Sequence, residues 1–455
     1  MALFQGKMFW KRILRPGMKG RDVTILQRHL SALRYYEGEC DGFYGTVTKG
    51  AVFDFQKAHR LRVDGICGKE VFALLRSGLE RMKLDHTVAD GETLQSIARK
   101  YNVPQELLIT ANRIDINKVR EGDSLTIPVL RLIAFCSCGS SGDFEIPYER
   151  ILPSVTAIAP RWFQLNADGN IQGELNEKMV SLASVTGVDL WPVISAEDLT
   201  DVLPDSKAYS RVIRNFSNLA ALAARKRMKG LIFSINSLHE KDIYMFQSFF
   251  RKTTTIAKKR GLLSGIEMSL YNKVIPCNRK NRRSRLRDLR GITSIMHMIF
   301  LKAYKDPSEF QSPGPIISGS CIKTILNNLT RTVDFWKLVI VVPGFGVEFS
   351  VNADLPPARK KYGEIIEITG VSNPVISQVD GGESKAFKYR SSRMSHIVYF
   401  EDAESIKSHA ELALKYKLAG IAIADLEETD PKVWSRVRVS FKVIRNGGGR
   451  IPSVR

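Results

Sequence analysis

Two polar side chains lie at the end of the most clearly defined apolar stretch of the chain. The segment 228–236 contains a short apolar run with a basic turn before it and a polar loop after it, so we predict a buried strand that presents Ser234 and Asn236 at its carboxyl end. A helical pattern follows over about 241–260. A strand that leads into a helix is typical of a parallel α/β barrel, in which chemistry takes place at the carboxyl ends of the strands.

Neither side chain can carry out acid–base catalysis. A general acid must donate a proton, and Asn236 has no titratable proton, while Ser234 carries no charge. Carboxylates near the ends of other predicted strands could act as a displaced pair. They are Glu197, Asp198, Glu267, Glu401 and Asp425. We favour the simpler interpretation that these carboxylates serve in turns, helix caps and ion pairs.

A dense basic run is predicted to form an anion-binding loop. It follows the fifth predicted strand, and a loop at that end of a barrel strand lies on the site face. Its cations are Arg279, Lys280, Arg282, Arg283 and Arg285. Guanidinium forks suit carboxylates and phosphates. A solvated basic surface explains the run equally well, and nucleic acid is disfavoured because no aromatic residues interleave with the basic ones.

Composition favours a polyanionic partner. The 455 residues carry a formal net charge of +21, with 44% hydrophobic and 25% charged residues, as in a soluble protein of several domains. No apolar run approaches the roughly 18 residues of a membrane span. The start, 1–15, mixes aromatic and basic residues without an apolar core, so we expect no signal peptide and synthesis in the cytoplasm.

The cysteines give no sign of a metal site. Cys136 and Cys138 have no second pair at zinc-site spacing, so we expect neither a metal nor a cofactor. We expect mostly reduced, buried thiols. Cys40 and Cys67 form the one plausible disulfide, and the sequence leaves its state open.

Between 130 and 443, short apolar runs alternate with helical patterns. About eight such runs in roughly 300 residues predict a C-terminal (β/α)8 TIM barrel. The runs begin near Leu132, Val155, Leu190, Gly230, Gly265, Ile292, Val339 and Gly420. The glycine-rich tail, 444–455, is predicted to be flexible.

Residues 14–76 contain an internal repeat. Each half has a helical pattern with a glutamine, Gln27 or Gln56, followed by an Asp-Gly turn at 41–42 or 64–65. This pattern is similar to the small all-α peptidoglycan-binding domain that accompanies many cell-wall hydrolases. The resemblance implies that peptidoglycan is a partner.

Residues 85–129 are predicted to form a strand, two helices and a strand, with Thr93 as a helix cap. The unit resembles the βααβ LysM module, which binds glycans that contain N-acetylglucosamine. The usual Gly-Asp-Thr is Gly-Glu-Thr here. The resemblance implies a glycan-binding groove formed by Gly91, Glu92, Thr93, Leu94, Arg113, Ile114, Asp115 and Ile116.

The predicted barrel resembles glycoside hydrolase family 18, in its spore-cortex type. The resemblance rests on the strand at 228–236 and on Pro160–Gly169, His396–Ile406 and Asp430–Trp434, the last two resembling the final repeat of the barrel. The signature strand of the family reads D-x-x-D-x-D-x-E. The corresponding residues here are Lys229, Ile232, Ser234 and Asn236, so each carboxylate is absent.

The resemblance therefore implies a degenerate, chitinase-like site. In the family, a glutamic acid protonates the leaving oxygen, and the acetamido group of the sugar attacks the anomeric carbon with the support of an aspartate. The tyrosine of the sixth strand is kept as Tyr304, but lysine replaces the following aspartate and alanine replaces the tryptophan of the last strand. The degenerate positions are Ser234, Asn236, Tyr304, Lys305 and Ala424.

These observations favour a peptidoglycan-binding protein whose barrel is a pseudoenzyme. Absence of a signal peptide beside wall-binding modules implies, by resemblance, a protein made in the mother cell and associated with the spore cortex or coat. Two alternatives stay open. One is an active cortex-lytic N-acetylglucosaminidase with relocated carboxylates. The other is a structural coat protein that bridges acidic layers and binds other coat proteins.

Overall fold

The computed structural model divides into two compact units, with the division after Val129. It describes residues 12–32, 35–36, 38–58, 61–72, 74–75, 85–101, 105–112, 114, 119–127, 129–137, 151–196, 199–200, 202–235, 243–269, 291–293, 295–310, 312–329, 337–351, 355–379, 384–391, 394–416, 418–440 and 442–443. Several predicted residues lie outside these ranges: Arg113, Asp115, Ile116, Glu197, Asp198, Asn236, the basic loop 279–285 and the tail 444–455.

The first domain contains two amphipathic helices, α1 (Arg21–Ala32) and α2 (Thr46–Ala58). Val23, Leu26 and Leu30 are fully buried and form the apolar face of α1. Tyr44, Phe55 and Leu75 are also fully buried, so both halves of the repeat contribute to the domain core.

A buried glutamine holds each turn of the repeat. The side-chain carbonyl of Gln27 accepts a hydrogen bond from the N–H of Gly42 at 2.8 Å, and its amide donates to the Asp41 carboxylate at 2.7 Å and to the carbonyl of Phe43 at 3.0 Å. The matching contacts of the second half, at 2.8, 2.9 and 3.0 Å, join Gln56 to Gly65, Asp64 and Ile66. Both glycines have positive φ, +74° and +69°, which the turns require. The two halves of the internal repeat therefore share the same set of hydrogen bonds between a glutamine and an Asp-Gly turn.

The second domain is a βααβ unit, as predicted. Its two strands pair antiparallel, with His86 opposite Leu125. The elements are β1 (Asp85–Thr87), α3 (Leu94–Tyr101), α4 (Gln105–Asn112) and β2 (Ser124–Thr126).

The C-terminal unit contains a parallel barrel. The first barrel strand is β3 (Val129–Cys136). The second and third are interrupted: the second consists of β4 (Ala157–Pro160) and β5 (Phe163–Leu165), followed by a hairpin strand, β6 (Ile171–Gly173), and the third consists of β7 (Asp189–Leu190) and β8 (Val193–Ala196). The fourth to seventh are β9 (Gly230–Ile235), β10 (Leu263–Ser269), β11 (Met298–Lys302) and β12 (Leu338–Pro343).

An antiparallel sheet is inserted between the seventh and eighth barrel strands. Its strand order is β14-β13-β17-β16-β15, and Ile365, Phe387, Val398 and Phe400 form its core. The strands are β13 (Gly346–Ser350), β14 (Ala358–Lys360), β15 (Ser377–Val379), β16 (Ser384–Ser391) and β17 (Met394–Phe400).

This insertion corrects one sequence interpretation. Residues 396–400 were interpreted as part of the last barrel repeat, but they lie in β17, in the middle of the inserted sheet. Buried and half-buried residues alternate along β17, as expected for an antiparallel strand with one covered face.

The barrel closes through β18 (Gly420–Ala424), which pairs in parallel with β12 and β3. On the other side, β4 pairs with β3 and β7, and β5 pairs with β8, which continues the strand begun by β7. The pairings of β8 to β12 then complete the ring. A short β19 (Lys442–Val443) adds to β3. The predicted (β/α)8 arrangement is confirmed.

Helices of this unit are α5 (Glu177–Thr186), α6 (Ser206–Arg225), α7 (Ile243–Lys259), α8 (Gly319–Leu329), α9 (Tyr362–Ser372), α10 (Ala403–Lys415) and α11 (Val433–Ser440). Phe246, Phe249 and Phe250 of α7 are fully buried against the barrel, so this helix fixes the outer face of β9. Within the described ranges, no helix has the length and apolar character needed to cross a membrane.

The described cysteines, Cys40, Cys67 and Cys136, form no disulfide. Burial raises the pKa of the Cys67 thiol to about 12, and its Sγ lies 3.5 Å from the hydroxyl of Tyr44. A thiol in this setting is unreactive at neutral pH.

We predict that Gln56→Leu will loosen the second turn of the repeat. The substitution leaves the N–H of Gly65 buried without its acceptor, which costs about 1–3 kcal/mol. Hydrogen exchange of residues 61–72 in the full chain, followed by mass spectrometry, should accelerate about 5- to 150-fold. Lys57→Leu, at the neighbouring exposed position, is the control. Unchanged exchange in Gln56→Leu would show that the glutamine does not hold the turn.

Candidate functional site in the barrel

An ion pair lies inside the barrel. The Arg161 guanidinium donates from Nη1 to Oε2 of Glu267 and from Nη2 to Oε1, both at 2.9 Å, in a bidentate arrangement. The Glu267 side chain is 0% exposed and that of Arg161 is 20% exposed. Arg161 also lies 3.5 Å from Oγ of Ser234, and its Cζ lies 4.9 Å from the ring centre of Phe135. The pair thus takes up space next to one of the degenerate positions.

Strand register positions the pair. Glu267 of β10 lies directly opposite Ser234 of β9 and Phe300 of β11, so its side chain shares their level in the barrel. Arg161 occupies the break between β4 and β5, where its N–H donates to the carbonyl of Cys136 at 2.9 Å. This break lets a long side chain from the second barrel strand reach the fifth.

Electrostatics keep both groups charged. Burial would raise the pKa of Glu267, but the charges of Arg161 and Lys302 outweigh burial and lower this pKa to about 2. Burial likewise opposes the charge on Arg161, yet Glu267 raises the pKa of the guanidinium. Glu267 therefore holds no proton at neutral pH, and both of its oxygens accept hydrogen bonds from Arg161. This carboxylate does not meet the requirements of a general acid.

Asp425 is held in a second ion-pair cluster. It follows β18 with a positive φ of 54°, and its carboxylate accepts from Nη2 of Arg359 at 2.5 Å. Nε of Arg359 donates to Glu428 at 2.6 Å, and the guanidinium lies 3.7 Å from the ring centre of Phe345. Because Arg359 belongs to β14, this cluster joins the inserted sheet to the end of the eighth barrel strand.

Glu401 is enclosed. It follows β17, is 1% exposed, and its carboxylate accepts from the hydroxyl of Ser384 at 2.5 Å and lies 3.2 Å from Nε2 of His409. Burial raises the pKa of Glu401. A side chain that solvent does not reach has no route to a polymeric substrate, so Glu401 serves the packing of α10 against the inserted sheet.

The described degenerate positions lie at the ends of barrel strands. Ser234 and Tyr304 are 5% and 3% exposed, and Ala424 is fully buried at the end of β18. Burial raises the pKa of Tyr304, and the charges of Asp425 and Glu267 add to the effect. Lys305 is half-buried, with its ammonium 5.3 Å from the ring centre of Phe310.

Sequence reasoning missed the role of Arg161. Its partner is 106 residues away, and no local pattern connects the two. The only available signal was a charged residue in each of two otherwise apolar predicted strands. A buried charge needs a partner, so two such residues predict a pair once the strands are known to share one barrel.

In the LysM-like unit, Glu92 belongs to a network within the module. Its carboxylate accepts from the N–H of Ala89 at 2.9 Å and from Lys100 at 2.9 Å, and lies 2.5 Å from Nε2 of His86. Burial would raise the pKa of Glu92, but these three partners together lower it to about 2. Burial lowers the pKa of His86. Glu92 therefore fixes the turn between β1 and α3.

The other predicted groove residues differ in exposure. Leu94 is 3% exposed and packs in the module core, which places it beneath the surface. Thr93 is exposed and accepts from the N–H of Ser96 at 3.1 Å, which confirms its role as a helix cap. Gly91 is exposed at φ +74°, and Ile114 is half-buried. Of the described positions, Gly91 and Thr93 are thus the most accessible to a glycan.

Comparison with known domain families accounts for the N-terminal unit. Residues 19–75 match the model described as "Putative peptidoglycan binding domain", and residues 86–128 match the LysM domain model. The chain carries one domain of each family. The helical repeat and the βααβ unit described above are these two domains.

Comparison with whole proteins extends to the barrel. The glycosylase YvbX of Bacillus subtilis is 20% identical over 298 residues, which cover 63% of this chain and 85% of that protein. The crystal structure of the Bacillus cereus spore cortex-lytic enzyme SleL superposes with a TM-score of 0.61 at 17% identity, covering 96% of this chain and 100% of SleL. A chitinase of Chromobacterium violaceum gives a TM-score of 0.58 at 18% identity, covering 69% and 99% of the two chains. At these identities, the structures show that the chitinase-like barrel fold is shared.

We predict that breaking the barrel ion pair on one side is strongly destabilising. Glu267→Gln leaves the Arg161 charge buried without its counter-charge, which costs about 3–5 kcal/mol. Urea unfolding of the full chain, followed by tryptophan fluorescence, should show this loss. The double variant Arg161→Met/Glu267→Leu should recover most of it because no charge remains.

The exposed pair Lys226–Glu177 provides the matched control. Glu177→Gln should change stability by at most about 1 kcal/mol. Wild-type stability in Glu267→Gln would contradict the assignment of the buried pair.

We also predict that the LysM domain loses stability in acid. The folded pKa of Glu92, about 2, lies below its ordinary value of 4.5, so its contribution is complete above pH 4.5 and is lost as the pH falls toward 2. The folded pKa of His86 lies below 6.5, so protonation below that pH also favours unfolding.

Hydrogen exchange of α3, corrected for intrinsic rates, should therefore accelerate from pH 7.5 to 5.5 and again to 3.5. In Glu92→Gln the acceleration between pH 4.5 and 3.5 should shrink, because the group that titrates has been removed. Constant protection of the wild-type helix over this range would contradict the network.

Proposed function

We propose that this protein binds peptidoglycan through its two N-terminal domains and that its barrel no longer hydrolyses glycans. The observation that carries the second part is the Arg161–Glu267 pair. It commits the Glu267 carboxylate, which lies opposite Ser234 in the barrel, and it leaves that carboxylate without a proton to donate. The first part is supported by the two domain matches.

The expected loss of rate is large. Asn236 stands where the family has its general acid, and Ser234 stands where the family has the aspartate that supports the acetamido intermediate. General acid catalysis contributes about 10²–10⁴ in rate. Electrostatic stabilisation at one position contributes about 10²–10³ more. Loss of both leaves turnover below ordinary detection.

We further propose that the protein is made in the mother cell and associates with the spore cortex or coat. The support is the likeness of its fold, over 96% of the chain, to the spore cortex-lytic enzyme SleL. A polymer-binding protein without hydrolase activity would hold cortex peptidoglycan rather than degrade it.

The second candidate is an active N-acetylglucosaminidase with relocated carboxylates. It is favoured by the names of the similar proteins, a glycosylase and a cortex-lytic enzyme. A structural coat protein is the third candidate, favoured by the net charge of +21 and the basic run at 279–285.

The full chain should co-sediment with purified spore-cortex peptidoglycan and release no reducing ends from it. Asn236→Glu alone should not restore release, because Ser234, Lys305 and Ala424 still depart from the catalytic pattern. Turnover by the wild type that is abolished by changing Glu197 or Asp198 would establish the enzyme instead. Binding to purified coat proteins but not to peptidoglycan, lost at high salt, would establish the structural alternative.

A further inference from the structure

A groove of about 630 Å³ lies beside the first Asp-Gly turn of the peptidoglycan-binding domain. It runs along the start of α2. Its lining includes Tyr36, Glu39, Phe43, Tyr44, Thr46 and Val47.

Two apolar side chains of the groove wall project into solvent. Phe43 is 40% exposed and Val47 is 59% exposed. The Lys19 ammonium lies 5.1 Å from the ring centre of Phe43. An exposed aromatic ring beside a second exposed apolar side chain offers a ligand apolar surface to bury, and such burial is favourable.

The floor of the groove is rigid. The Tyr36 hydroxyl donates to the carbonyl of Glu39 at 2.6 Å, and the Tyr44 hydroxyl donates to the carbonyl of Gly65 at 2.9 Å. Both rings are buried. A ligand that enters the groove therefore meets a surface that is already formed, which lowers the entropy cost of binding.

The internal repeat provides a comparison within the domain. The two Asp-Gly turns share the same glutamine contacts, so the fold of the turn does not require an exposed aromatic ring. In the second turn, Ile66 stands in place of Phe43, the buried Cys67 in place of Tyr44, and the charged Glu70 in place of Val47. The exposed apolar pair is thus a property of the first turn.

We propose that this groove is the contact site of the domain for the glycan strand of peptidoglycan, with Phe43 packed against the face of an N-acetylated sugar. The proposal rests on the peptidoglycan binding proposed above. A pyranose ring has an apolar C–H face and a polar rim. Phe43 and Val47 offer the apolar surface, and the exposed Glu39 carboxylate and Thr46 hydroxyl offer partners for sugar hydroxyls and the acetamido group.

The test compares Phe43→Ala with Val63→Ala in the full chain. Val63 is 50% exposed in the second half of the repeat and is not part of the groove lining, so it controls for loss of an exposed apolar side chain. Co-sedimentation with cortex peptidoglycan should weaken about fivefold or more in Phe43→Ala and stay unchanged in Val63→Ala. Exchange of α1 and α2 without ligand should match the wild type in both variants, since Phe43 lies at the surface.

Hydrogen exchange with tetra-N-acetylglucosamine separates this site from the LysM domain. The segment 41–49 should become protected in the wild type and in Val63→Ala, but not in Phe43→Ala. Protection of 41–49 by a stem peptide without sugar would overturn the choice of glycan. If the wild type binds peptidoglycan but neither tetra-N-acetylglucosamine nor the stem peptide protects 41–49, the groove proposal is wrong while the proposed peptidoglycan binding stands. If the wild type binds no peptidoglycan, the proposed function fails as well.

Discussion

A buried charge pair constrains the geometry of the barrel. Arg161 and Glu267 lie where water does not solvate them fully, and a single buried charge without its partner costs several kcal/mol. The second barrel strand must therefore keep Arg161 within hydrogen-bond distance of Glu267 in the fifth, and the break at Arg161 must stay open. Under these conditions the Arg161 guanidinium lies 3.5 Å from Oγ of Ser234.

The N-terminal domains use buried polar contacts differently. Gln27 and Gln56 fix turns, and Glu92 fixes the loop before α3, so these polar groups hold backbone in place and leave the outer surface available. Exposed residues such as Phe43 and Thr93 then have rigid supports. The first unit carries the two domains that match peptidoglycan-binding and LysM families. In the barrel, the buried polar groups Arg161 and Glu267 pair with one another.

The eight barrel strands could be predicted because each is a short apolar run buried on both faces. The inserted sheet could not, since β17 alternates like any half-covered strand and pairs not only with the adjacent β16 but also with β13, which lies much earlier in the chain. Lys305 and Ala424 were found by resemblance to a motif, whereas Arg161 and Glu267 form a pair that depends on barrel closure. Leu94 shows the limit of motif transfer, because a residue within a binding motif can belong to the core that supports it.

The most direct test of this account is a crystal structure of the full chain soaked with tri-N-acetylglucosamine. We expect an intact Arg161–Glu267 pair and no sugar in contact with Ser234 or Tyr304. A sugar ring seated between these residues, with the Arg161–Glu267 pair separated to admit it, would show that the barrel still binds glycan at its centre and would contradict the account.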